Sequence, residues 1–143
     1  MNKYQKRKYY LNDKQIKWLM YTVLVGLIPI FLRLIIYFVT DGSIKIFSAS
    51  DFIAFGIILH ISNINELEHY TKDKSWKTIQ NGLSIIFIVF YGLLFALTLL
   101  SEAQPKFINY AMVRQFTMIL SLVSFFISFA IYYRINKLTR RKS

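Results

Sequence analysis

Residues 44–65 read IKIFSASDFIAFGIILHISNIN. The purely apolar centre of this stretch runs only from Phe52 to Leu59 before His60, Ser62, Asn63, Asn65 and Glu66 intervene. Whether it crosses a membrane decides whether the two ends of the chain share a side. Its neighbours are easier to read. Trp18 to Val39, Ile79 to Leu100 and Ile108 to Tyr133 are each long enough, at about 1.5 Å per helical residue, to cross a hydrocarbon core of about 30 Å. With residues 44–65 counted as a span, Lys3, Lys6, Arg7, Lys8, Lys14 and Lys17, then Lys72, Lys74 and Lys77, then Arg134, Lys137, Arg140, Arg141 and Lys142 all fall on one side. Only Lys45 and Lys106 lie in the opposite loops. Basic residues near spans are retained in the cytoplasm, so this count selects four spans and two cytoplasmic termini.

Composition agrees with that architecture. The 143 residues are 55% hydrophobic and 17% aromatic, an excess that a domain of this size cannot bury behind one polar layer. The expected fold is an all-α integral membrane protein, a four-transmembrane-helix bundle that is homo-oligomeric. It forms one domain over residues 1–143, with spans at about 18–39, 44–65, 79–100 and 108–133. The expected location is a bacterial inner (plasma) membrane, multi-pass. Asp41-Gly42 and Gln104-Pro105 supply turn chemistry outside, and Trp18, Tyr21, Trp76, Tyr132 and Tyr133 make an aromatic belt inside. A signal peptide is the competing reading of the first span, with Ser48-Ala49-Ser50 as its small-residue site. The apolar stretch is too long and the site too far beyond it.

The fourth span carries the clearest internal pattern. Arg114, Thr117, Ser121, Ser124 and Ser128 recur at helical spacing and so share one stripe, with Phe, Ile, Leu and Val elsewhere. Such a stripe is either a helix-packing seam, where small residues allow close approach, or the wall of a water-filled pore. The first span repeats the arrangement with Thr22, Gly26, Pro29 and Arg33, and Pro29 is expected to kink it. Arg33 and Arg114 belong to one layer about 10 Å below the outer surface. They are either snorkelling or salt-bridged, with Asp41, Asp51 and Glu102 as candidate partners, or they form an arginine ring that favours anions. The second span is too polar to face lipid, so His60 and Asn63, on one face with Gly56, either pack against protein or act as a gate. Gly92 and Ala96 form a small-xxx-small pair in the third span.

Several chemistries are excluded or unsupported. No cysteine is present, which removes disulfides, thiol nucleophiles and cysteine-based metal sites. Glu66 and His69 have the Glu-x-x-His spacing of di-iron bundles, but that chemistry needs two copies and further carboxylates. No P-loop, nucleophile elbow or zinc motif occurs, so neither enzymatic activity, nor a cofactor, nor a metal is expected. No carboxylate lies securely inside a span, which disfavours proton-coupled export.

The net charge of +11 calls for an anionic environment or partner. Membrane lipids account for much of it. Lys3, Lys6, Arg7, Lys8 and Tyr9 at one end, with Arg140, Arg141 and Lys142 at the other, are also candidates for binding a single-stranded nucleic acid or a nucleotide, because interleaved tyrosines stack on bases.

The size, the four-span layout and the strongly basic cytoplasmic ends resemble the small membrane effectors of bacterial anti-phage defence, particularly the channel subunit of the Hailong system. That resemblance implies a tetrameric ion channel held shut by single-stranded DNA, which a partner nucleotidyltransferase makes. The channel would open on infection and depolarise the cell. No site residue is carried over from it. Two other classes fit the same outline: a non-conducting immunity or assembly factor that binds another membrane protein through its small-residue seams, and a phage holin.

Overall fold

The computed structural model describes residues 17–140, and these contain helices and no strand. A π-helical turn, Leu19–Leu24, runs directly into α1, Val25–Val39; then come α2, Ala49–Glu68, α3, Lys74–Ala103, and α4, Tyr110–Arg140. Three helical segments are long and apolar enough to cross a membrane: Met20–Val39, Lys74–Ala103 and Tyr110–Lys137. Helix α2 is not among them.

The helix ends follow from local chemistry. Ser48 stands in extended backbone, so Ile44 to Phe47 stay outside α2 although they are largely apolar. Helix α1 closes with Gly42 N–H donating to Tyr37 C=O at 3.0 Å across Asp41 and Gly42, both in the left-handed region. That is the turn expected of Asp41-Gly42. Asp73 caps α3 by accepting from Trp76 N–H at 3.0 Å, and Asn109 Oδ1 accepts from Ala111 N–H at 3.0 Å at the head of α4. Helix α1 continues unbroken through Pro29, and the departure from α geometry lies earlier, in the π-turn.

Contacts between helix ends give an up-down-up-down bundle. At one end Trp18 stacks on Tyr132 with ring centroids 5.0 Å apart, and Arg134 reaches Asp73 at 3.4 Å. At the other, Arg33 pairs with Asp51, and Tyr110 OH lies 3.3 Å from the Ala49 N–H that donates to it. The described ends of the chain therefore lie together. The aromatic residues near that end divide: Trp18 and Tyr132 are buried against each other, while Tyr21 and Tyr133 are exposed.

Helix α2 is the centre of the bundle, packed on the π-turn, α1, α3 and α4. Its buried residues are Ala49, Asp51, Ile53, Phe55, Gly56, Leu59, His60, Asn63 and Leu67, whereas α1 buries only Gly26. The other helices turn Leu, Ile, Phe and Val outward. The interior mixes polar with apolar residues while many large apolar side chains face outward, a distribution unlike a soluble domain and suited to a lipid solvent. The low apolarity of α2 follows from its position, since its neighbours supply the partners its polar groups need.

Candidate functional site

Helical spacing places Thr117, Ser121, Ser124 and Ser128 on one face of α4, and that face is turned onto α2 and α3. All four are buried, as are His60 and Asn63 opposite them. His60 Nε2 lies 2.9 Å from Ser124 Oγ, and Tyr91 OH of α3 lies 2.8 Å from the same oxygen. One turn on, Asn63 Nδ2 donates to Ser128 Oγ at 2.9 Å. Nearer the Arg33 end, Thr117 and Ser121 hydroxyls donate instead to their own helix, at Val113 C=O and Met118 C=O. From Thr117 to Ser128 the polar face extends about 17 Å along the helix, more than half the thickness of the hydrocarbon core.

Two glycines set the approach that makes these bonds. A Cβ on Gly56 would stand 2.0 Å from Tyr91 Cζ, so only glycine lets the tyrosine ring lie on the α2 backbone and reach Ser124. A Cβ on Gly26 would stand 2.7 Å from Phe55 Cδ2, and the same side of the bundle is tied by Thr22 Oγ1 and Ser62 Oγ at 2.9 Å. The His60 ring lies against Phe87 with centroids 4.6 Å apart, and its Nδ1 has no hydrogen-bond partner. Further along α4, the buried Asn136 also carries an unpartnered polar atom, Nδ2. Tyr70 OH and Asn81 Oδ1 are likewise buried without a hydrogen-bond partner, and such groups are few in folded proteins.

Arg33 and Arg114 have different surroundings. Arg33 donates to Asp51 through Nε, with Nη2 at 3.4 Å from the second carboxylate oxygen. Asp51 is thus the partner among the three acidic candidates. Arg114 is half-buried and meets no carboxylate among the described residues. It lines a separate cleft with Lys45 and Lys106. Gly92 and Ala96 lie on the exposed face of α3, and a Cβ on Gly92 would meet nothing within 4 Å.

The basic residues assigned to polyanion binding fall at the edges. Lys3, Lys6, Arg7, Lys8 and Tyr9 lie outside the described residues, as do Arg141 and Lys142, and Arg140 is the last residue of α4. Sequence reasoning did not single out Tyr91, although a tyrosine in the middle of an apolar run signals a hydroxyl in need of a partner. It also passed over Tyr110, whose hydroxyl takes the first N–H of α2. Comparison with known proteins gives no match: no family model, no curated protein and no solved structure is similar to the chain.

Proposed function

We propose that the chain is a homo-oligomeric ion channel of a bacterial inner membrane, with α2 as a fourth span, both termini cytoplasmic and the α2–α4 seam as its closed pathway. The observation that carries this reading is the polar seam itself, a file of buried hydroxyl, imidazole and amide groups inside a bundle whose outer surface is apolar. Polar residues at membrane depth are costly, and lining an ion path is one use that explains their retention. The magnitudes suit a switch. Two bonds cross the seam between α2 and α4, His60–Ser124 and Asn63–Ser128, while Tyr91 holds Ser124 from α3. At about 0.6 to 2 kcal/mol each in a membrane, the two crossing bonds total about 1 to 4 kcal/mol. A ligand with a differential affinity of about 5.5 kcal/mol can move a two-state equilibrium across that range. On parting, α2 and α4 expose groups that water can solvate, so the open form leaves none of them bare.

Tetrameric assembly, and control by single-stranded DNA from a partner nucleotidyltransferase, rest on the resemblance to anti-phage effectors. The cytoplasmic tails are the region suited to that ligand. Neutralising Lys6, Arg7 and Lys8 together is expected to weaken single-stranded DNA binding and to flatten the salt dependence of log K by about 2, at roughly 0.7 per lost phosphate contact. Fluorescence anisotropy at several salt concentrations reads both. An unchanged slope assigns the ligand elsewhere.

The deciding experiment is current through the purified protein in a planar bilayer, with and without single-stranded DNA on the cytoplasmic side. Discrete steps that DNA suppresses support a regulated channel, and passage of large solutes points to a holin instead. Ser124→Leu is expected to abolish the current while leaving the oligomer intact by native mass spectrometry. A variant that loses the oligomer instead makes the seam a packing device. A second reading has its own observation, the exposed Gly92 and Ala96 on α3, which offer a flat surface to a helix of another membrane protein. Electrical silence from folded protein, with a co-purifying membrane partner, selects that non-conducting factor.

A further inference from the structure

At the end of the bundle away from the described termini, the loops before α2 and α4 enclose an open cleft of about 480 Å³. Its lining includes Lys45, Ser101, Lys106, Asn109, Tyr110 and Arg114 and contains no carboxylate. Three cations therefore face one cavity. Two other arginines have carboxylate partners, Arg33 in Asp51 and Arg134 in Asp73. Arg114 has no such partner, and neither Lys45 nor Lys106 makes an ion pair with a described residue.

The cleft is held in shape from several sides. Lys45 Nζ sits 5.2 Å from the centroid of the Tyr110 ring, and the Tyr110 hydroxyl is fixed by Ala49 N–H at 3.3 Å and Ser48 Oγ at 3.4 Å. Asn109 caps α4, so the positive pole of a 31-residue helix opens onto the same space. Arg114 stands one turn inside that helix and is half-buried, which limits its freedom to carry the charge into water. The lining also includes Phe107, which is 86% exposed, and further along α4 Met112 and Phe116 face outward as well.

We propose that this cleft binds a phosphate group, and that the anionic phospholipid headgroup at this surface of the membrane supplies it. A phosphodiester offers acceptor oxygens to Arg114 and Lys106, takes a further contact from Lys45, and leaves its acyl chains along the apolar faces of α3 and α4. The site rests on the bundle spanning a bilayer and on no reading of conduction, so a channel that carries no current leaves it untouched.

The test uses the full chain in nanodiscs of phosphatidylcholine with or without phosphatidylglycerol, and native mass spectrometry counts the phosphatidylglycerol retained on release. A parallel arm titrates inorganic phosphate into the protein in neutral detergent. The Arg114→Gln, Lys106→Gln double variant is expected to retain phosphatidylglycerol about thirty-fold more weakly, which is two charges at the value of a basic residue near an anionic surface. Lys106→Gln alone alters an exposed loop side chain and is expected to give about a five-fold loss in a protein that folds normally. The charge-matched Lys74→Gln, Lys137→Gln variant, exposed at the opposite end, is expected to bind as the parent does. Saturable binding of inorganic phosphate that depends on Arg114 keeps the phosphate site and moves its source to a free anion. Equal loss in the cleft and control variants, or no specific retention by the parent, overturns the proposal.

Discussion

Gly56→Ala is expected to destabilise the bundle by about 1 to 3 kcal/mol, the usual cost of forcing a methyl group into a packed core. The added Cβ would lie 2.0 Å from Cζ, 2.2 Å from the hydroxyl and 2.5 Å from Cε2 of Tyr91. A flexible exposed side chain could step aside, but Tyr91 is fully buried and its hydroxyl is bonded to Ser124. The ring must move, and the Ser124 bond goes with it. Alanine's helix propensity, worth about 1 kcal/mol over glycine, opposes this loss and does not cancel it. Gly92→Ala provides the contrast within one protein, because its Cβ would meet nothing within 4 Å. That variant is expected to be neutral or to gain up to about 1 kcal/mol. Unfolding in mixed micelles by titration with a denaturing detergent compares the two, and equal effects at both glycines would contradict the packing described between α2 and α3.

The second large effect belongs to Asp51→Ala. Arg33 would then keep its charge in a partly buried position with no carboxylate beside it. Removing one partner of a buried pair costs about 3 to 5 kcal/mol. Arg33 keeps 29% of its side-chain surface accessible and can swing outward, so the lower end of that range, about 3 kcal/mol, is expected. The Arg33→Leu, Asp51→Leu double variant is expected to recover most of this stability, since two apolar side chains replace a pair that was costly to desolvate. The same unfolding titration, run on Arg33→Leu, Asp51→Leu and the double variant, measures the coupling. Additive losses would mean that the two residues act independently.

The residues also show which parts of this fold a single sequence exposes. The runs within α1, α3 and α4 are legible because lipid demands uninterrupted apolar length, and length is a property of the string itself. Spacing likewise places Thr117, Ser121, Ser124 and Ser128 on one face. Spacing does not say what covers that face, because the rotation of α4 about its axis is set by Tyr91, His60 and Asn63, residues distant in the chain. The Arg33–Asp51 pair was one of three charge pairings that depth alone allowed, and the turn at Asp41 and Gly42 selected among them by bringing the head of α2 beside the end of α1. Ile44 to Phe47 read as part of a span because they are largely apolar. The extended backbone at Ser48 instead starts the helix at Ala49. The part played by Tyr91 was hidden because its signal, one hydroxyl in an apolar run, does not identify its partner. The basic tail at the N-terminus lies outside the described residues, so its assignment to polyanion binding rests on composition.

If α2 spans the membrane as proposed, its central place has a consequence for how the protein is inserted. A ribosome delivers α2 before α3 and α4, yet the groups that satisfy His60 and Asn63 are Ser124 and Ser128, which lie 64 and 65 residues further along the chain. During that interval α2 has no partner for its imidazole or its amide and little reason to leave the protein-conducting channel for lipid. On that reading the order of synthesis and the order of burial differ: α1 partitions as it emerges, whereas α2 waits at the insertion machinery until the last helix arrives and closes over it.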